Sequence, residues 1–225
     1  MPRLVLVGCG AAAFGAAAWA GLDRSHAGLA LLLVVFALLA LVVAWLEAGP
    51  DSAKELALVA TLGGAAAAGR VLFAAIPGVQ PVTVIVVCTG AALGARSGIA
   101  AGAIAALVSN FFLGQGVWTP WQMLAWGTCG ALGAVCARFI RRRFALAAFC
   151  FLLGLAFSSF MDVWNWFAFY DQHTWPTFVA VQARGFPFDL AHAIGNVVIA
   201  LVAGPELLRL LERYGRRLHA EVVWA

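Results

Sequence analysis

The sequence predicts an all-α integral membrane protein of eight spanning helices, and three observations carry that prediction. Hydrophobic residues make up 64% of the 225 residues and charged residues only 11%, against about 45–50% and about 25% in an ordinary soluble domain. The apolar runs are near-continuous, rich in Gly and Ala, and show no period-two alternation. They therefore read as membrane helices and not as strands of an outer-membrane barrel. The Lys and Arg residues gather at alternate junctions between the runs, the asymmetry that cytoplasmic loops show. That asymmetry also accounts for the net charge of +4. No basic patch is interleaved with base-stacking aromatics, so nucleic acid is not an expected partner.

The first run, residues 4–21, follows Arg3 and ends in small residues, as a signal peptide does. A second run begins almost at once, so the first is expected to remain as an uncleaved span. Asp23 and Arg24 mark the turn, and the second span covers residues 27–46. Glu47-Ala48-Gly49-Pro50-Asp51 closes it and is the best internal boundary. It separates an N-terminal helix pair, residues 1–50, from a core of residues 51–211. Asp51 or Ser52 can cap the third helix, which runs to about residue 75. A turn at residues 76–80 leads to a short fourth helix, 81–93, and a small-residue turn to a fifth, 98–112. The sixth, 121–137, stops at Arg138 and at Arg141, Arg142 and Arg143. The seventh spans residues 144–160. A long polar and aromatic connection, residues 161–187, precedes the eighth, residues 188–208. A basic cytoplasmic tail, residues 212–225, is expected along the membrane surface.

With Arg3 in the cytoplasm, eight spans place Lys54, Arg96, Arg138, Arg141, Arg142, Arg143, Arg209, Arg213, Arg216 and Arg217 on the same side. The opposite orientation inverts the bias. A multi-pass protein of the cell membrane with both termini cytoplasmic is therefore expected. The outward face then collects the turn with Arg70 and Gln80, the stretch SNFFLGQGVWTPWQMLAW at residues 109–126, and the connection bearing Asp162, Trp164 and Asn165. Gly114, Gly116 and Pro120 turn the backbone in that aromatic stretch. An interfacial belt explains Trp118 and Trp121. It does not explain Asn110, Gln115 and Gln122 beside them, and flat apolar faces with a few amides suit the wall of a pocket.

Three stretches together, RVLFAAIPGVQP at residues 70–81, the small-residue run at 90–102 and the aromatic stretch at 109–127, resemble the S component of energy-coupling factor (ECF) transporters. The resemblance covers about residues 53–211 and leaves the first two helices as an addition. It implies a six-helix core with an outward substrate pocket, no chemical conversion, and docking on a membrane scaffold subunit driven by two ATPase subunits. In that family, docking uses small residues on the first core helix. Ala60, Gly64 and Ala68, four apart, are the candidates here, and such spacing lets another helix approach closely. The aromatic stretch is most similar to that of cobalamin-type members, so cobalamin or a related corrinoid is the expected substrate. A neutral aromatic vitamin or a nucleobase derivative such as queuosine is the alternative.

The expected substrate-binding residues are Arg70, Gln80, Asn110, Gln115, Trp118, Trp121, Gln122, Asp162, Trp164, Asn165, His192 and Asn196. A charge such as Arg70 in an apolar helix costs about 2.5–3.5 kcal/mol at mid-membrane; near the edge it either snorkels or finds a partner. His192 and Asn196 are four apart and share a helix face. No metal and no cofactor are expected, because Cys9, Cys88, Cys129, Cys136 and Cys150 sit singly in apolar runs and no second ligand lies at metal spacing. A different class, an intramembrane enzyme, would need a nucleophile with a base. Ser109, Ser158, Ser159, Asp162, Asp189 and His192 supply the residue types, but no GxSxG or HExxH pattern occurs. A scaffold or assembly factor is a third possibility. Without a GxxxxGK[ST] motif, any ATP-driven transport depends on partner chains.

Overall fold

The computed structural model describes residues 2–20, 24–46 and 52–218. The turn at Asp23, the Gly49-Pro50 boundary, the Asp51 cap and residues 219–225 of the basic tail lie outside the described residues. The order is α1 (Pro2–Ala20), a single 3-10 turn (Arg24–His26), α2 (Ala27–Leu46), α3 (Ser52–Leu72), α4 (Val82–Leu93), α5 (Ala95–Leu113), α6 (Thr119–Val135), α7 (Arg143–Phe169), α8 (Trp175–Val202) and α9 (Gly204–Leu218). Among the described residues no strand occurs. Among the described residues four helices are long and apolar enough to cross a membrane: Ala53–Leu72, Ala95–Leu113, Arg143–Phe169 and Trp175–Val202. The layout of eight spans expected from the sequence is matched to that extent only. With 12 residues, α4 is only about 18 Å long, short of the roughly 30 Å hydrocarbon layer. It compensates by being enclosed, with Val82, Val84, Val86, Val87 and Cys88 all buried.

Backbone proximity holds α4, α5 and α6 together. A Cβ placed on Gly90 would lie 1.8 Å from the Gly130 carbonyl oxygen, and one on Gly130 would lie 2.3 Å from that of Gly98. One on Gly102 would lie 2.5 Å from the Trp126 carbonyl carbon. Small residues at helix crossings let main chains meet, which is how membrane helices gain packing without a hydrophobic driving force. At the end bearing most of the arginines, Arg96 pairs with Glu55, tying α5 to α3. The same Arg96 lies 4.3 Å above the Trp45 ring of α2 and links the N-terminal pair to the core.

The largest departure from the sequence reading lies in residues 161–187. They are not a long connection. α7 continues to Phe169, α8 begins at Trp175, and only residues 170–174 join them. No Gly or Pro falls between residues 155 and 169 to stop α7. Thr174 starts α8 with a capping box, its hydroxyl accepting the Thr177 N–H while the Thr177 hydroxyl accepts its own. Pro176 then fits the first turn. Pro187 lies inside α8 rather than before it, at the loss of one backbone donor. At 27 and 28 residues the two helices are each about 40 Å long, so their hairpin exceeds the apolar layer.

The eighth helix also ends earlier than expected, at Val202. Residues 204–218 form α9, whose Leu208 and Leu211 are buried while Arg209, Arg213, Arg216 and Arg217 are exposed. Arg141 pairs with Glu212 at 3.3 Å. The first part of the expected tail is therefore a helix packed on the end of α4, where a Cβ on Gly215 would meet Leu93 at 3.1 Å.

Candidate functional site

Arg70 sits in the last turn of α3 and is 8% exposed. It does not snorkel. Its Nη1 donates to Ser109 Oγ and to Asn110 Oδ1, both at 2.6 Å, and its Nε donates to Gln80 Oε1 at 3.2 Å. Its guanidinium carbon lies 4.9 Å from the Trp126 ring centroid, where the negative ring face attracts a cation. All these partners are neutral. Asn110 turns its amide the other way, with Nδ2 donating to Thr119 Oγ1 at 3.0 Å and to Gln122 Oε1 at 2.9 Å. Thr119 donates to Gln115 Oε1 at 2.8 Å, and Gln115 Nε2 donates to the Leu107 carbonyl at 2.9 Å. The amides of the aromatic stretch thus form one chain anchored on Arg70. Gly114, at φ 110°, ends α5 and lets that chain double back, a conformation glycine adopts without strain.

A cavity of about 480 Å³ opens where the end of α3, the α3–α4 turn and α6 face the α7–α8 hairpin. Arg70, Gln80, Gln122 and Trp126 line one side. From α7 and its end come Phe157, Ser158, Met161, Asp162, Asn165 and Tyr170, and from α8 come Val181, Arg184, Gly185, Phe188 and Asp189. The Asp162 carboxylate presses against the α8 main chain: a Cβ on Gly185 would lie 2.0 Å from its Oδ2. That oxygen is buried with no hydrogen-bond partner.

Five of the residues proposed from the sequence, Arg70, Gln80, Gln122, Asp162 and Asn165, line this space. Seven do not. Asn110 and Gln115 stand behind the wall and hold it. Trp118 folds over Gly116 and donates its indole N–H to the Gly114 carbonyl at 3.3 Å. Trp121 packs on Phe160, with ring centroids 5.8 Å apart, and Trp164 is buried edge-on against Phe169. His192 and Asn196 are buried deeper in the bundle. His192 Nδ1 lies 2.7 Å from the Gly78 carbonyl. A carbonyl only accepts, so Nδ1 carries a proton. Nε2 then accepts from Asn196 Nδ2 at 3.3 Å and Thr83 Oγ1 at 3.4 Å, while Thr83 accepts the Trp126 indole N–H at 3.3 Å. This chain pins the α3–α4 turn to α8 and orients Trp126.

The sequence reading missed Trp126, Phe157, Ser158, Met161, Tyr170, Arg184, Phe188 and Asp189 as lining. Helical spacing is the signal that finds most of them. Residues 158, 161, 162 and 165 share one face of α7, and residues 181, 184, 185, 188 and 189 one face of α8.

On α3, Ala60 and Ala68 are exposed, and a Cβ on Gly64 would meet nothing within 4 Å, while Ala66 and Ala67 turn inward. Among the described residues no group of three or more His, Cys, Asp or Glu side chains is placed to hold a metal. Cys88, Cys129 and Cys150 are buried as free thiols. Comparison with protein-family models, with curated proteins and with solved structures found no match.

Proposed function

We propose that this chain is the solute-binding membrane subunit of an uptake transporter of the ECF S-component type. In this proposal α3–α8 are the substrate-binding core, α1–α2 an addition, and a scaffold subunit with two ATPases the partners. The observation that carries it is the cavity lined by aromatic and charged side chains, built from four helices and the α3–α4 turn at the end of the bundle opposite Arg96, Arg138, Arg141, Arg142, Arg143 and Arg209. By the charge asymmetry of membrane loops, that end faces outward and both termini face the cytoplasm of a cell whose plasma membrane holds the protein. The unpacked small-residue face of α3 supports close docking of a partner helix. The lining supports binding over the enzyme alternative: Ser158 makes no hydrogen bond to a base, and His192 is spent on Gly78, Thr83 and Asn196.

The cavity volume sharpens the substrate. About 480 Å³ falls in the range of sites for compact ligands, roughly 300–1,000 Å³. A corrinoid macrocycle with its amide arms overfills it, whereas a nucleobase derivative or other bicyclic vitamin fits. The cavity therefore favours the second of the two substrate expectations. Purification in mild detergent followed by mass spectrometry of bound small molecules tests this directly, and a retained corrinoid would restore the first. A Gly64→Trp variant should lose transport while keeping solute binding. Equal loss of both would assign Gly64 to packing. Cysteine labelling of intact cells should reach a Cys at position 175 and not one at 142; the reverse pattern overturns the orientation.

A further inference from the structure

Four charged side chains line the cavity: Arg70, Arg184, Asp162 and Asp189. Their situations differ. Arg70 has acceptors on Ser109, Asn110 and Gln80 and a ring face on Trp126. Among the described residues neither carboxylate has a side-chain hydrogen-bond donor or an ion-pair partner. Asp162 Oδ2 is buried against Gly185 of α8 and unpartnered, which leaves the carboxylate's other edge to line the cavity. Asp189 is 5% exposed and, among the described residues, neither hydrogen-bonds nor ion-pairs with a side chain. A buried acceptor without a donor costs about 1–3 kcal/mol, and more when it is charged.

The cleft that holds Asp162 is also specific. Any side chain at position 185 would occupy the place of the carboxylate, since even a Cβ would lie 2.0 Å from Oδ2. Asp162 and Asp189 come from α7 and α8, the two helices of one hairpin, and face the same space. Phe157, Phe188 and Tyr170 stand beside them, giving an aromatic lining in which a cation-bearing ring is stabilised. Arg184 is exposed at the cavity edge and forms no salt bridge among the described residues.

We propose that Asp162 and Asp189 form the recognition end of this cavity for a cationic nitrogen group, an amine or amidine carried on an aromatic body, and that the transported solute belongs to this chemical class. The inference rests on the solute-binding function proposed above and adds the charge of the ligand to it. The cationic N–H groups donate to both carboxylates, the ring lies among Phe157, Phe188 and Tyr170, and Arg70 on the opposite wall faces an acceptor of the solute.

Three probes with one ring and different charge test it: benzamidine, benzamide and benzoate. Each is titrated by calorimetry into the purified full-length protein in detergent. Benzamidine should bind at least roughly tenfold tighter than benzamide, and benzoate weakest of all. Asp162→Asn and Asp189→Asn should each erase most of that preference, with thermal unfolding confirming that the variants fold. Arg184→Gln should keep or strengthen it, because the exposed protein cation at the cavity edge is gone. Benzoate or benzamide binding as tightly as benzamidine overturns the proposal, as does undiminished benzamidine binding in both Asp variants or no benzamidine binding to the wild type. The underlying function fails on different readouts: no solute co-purifies, and uptake does not depend on the chain. A co-purified anionic or neutral solute would leave the uptake role standing and sink only the charge assignment.

Discussion

On the α3–α5–α6 side of the cavity, Arg70 reaches Ser109, Asn110 and Gln80, and Asn110 passes the network on to Thr119 and Gln122. On the α7–α8 side, Asp162 and Asp189 face the same space with no donor among the described residues. The first wall stands on the glycine contacts of α4, α5 and α6, where main chains touch. The second is carried by a hairpin whose helices pack chiefly on each other. The difference separates what the protein settles for itself from what it leaves to a ligand. A satisfied polar network is rigid because each member would lose a partner by moving. An unsatisfied carboxylate holds binding free energy in reserve, because only a bound donor releases it.

The largest expected effect removes the platform of the first wall. Gly90→Ala drives a Cβ to 1.8 Å from the Gly130 carbonyl oxygen, against main chain that cannot step aside without parting α4 from α6. Gel filtration and thermal unfolding in detergent should show loss of a monodisperse, cooperatively folded protein. A wild-type melting curve would mean that this crossing is looser than described and that the first wall has no rigid base.

Next comes the network itself. Asn110→Leu strips an acceptor from Arg70 and leaves Gln122 without its donor. At about 1–3 kcal/mol for each buried group left unpaired, the melting temperature should fall by several degrees, with probe binding falling alongside. Asn110→Asp, which still accepts from Arg70 but cannot donate to Gln122, should recover only the Arg70 part of the loss. If Asn110→Leu melts like wild type, the first wall is no more settled than the second.

Asp162→Asn is the contrasting case. It removes no protein partner, so its effect on stability should stay within about 1 kcal/mol, and the sign should favour the variant because a buried, unpaired charge is gone. Binding of a cationic probe should weaken by at least roughly tenfold. A fall in stability as large as that of Asn110→Leu would reveal a partner for Asp162 and erase the distinction between the walls. The smallest effect belongs to Trp118→Ala. Its indole donates to its own loop at Gly114 and lies outside the cavity, so calorimetry should find binding unchanged. A strong loss would return the aromatic stretch to direct contact with the solute.

Composition alone was enough for the helical class and for helices long and apolar enough to cross a membrane, although of the eight spans expected only four meet that measure among the described residues. In a bilayer each backbone polar group must be satisfied within its own segment, so long apolar runs without alternation have one outcome. The polar character of the site region was legible too, since Arg70, Gln80, Gln122, Asp162 and Asn165 all stood out as polar residues at helix ends. Their arrangement was not. Met161, Asp162, Trp164 and Asn165 suit a loop or a helix facing a polar cavity equally well, and only the packing of α7 on α8 makes them helix. Arg70 finds Ser109 and Asn110 across 39 and 40 residues of sequence, a distance at which local pattern carries no signal. His192 looked like a ligand contact because it is polar and shares a face with Asn196. The tertiary structure turns it inward, since the carbonyl of Gly78 in the α3–α4 turn needs a donor and α8 brings one within 2.7 Å. Which polar groups are spent on one another, and which remain for a ligand, is decided only when distant helices meet, because a hydrogen bond reaches about 3 Å and sequence separation says nothing about that distance.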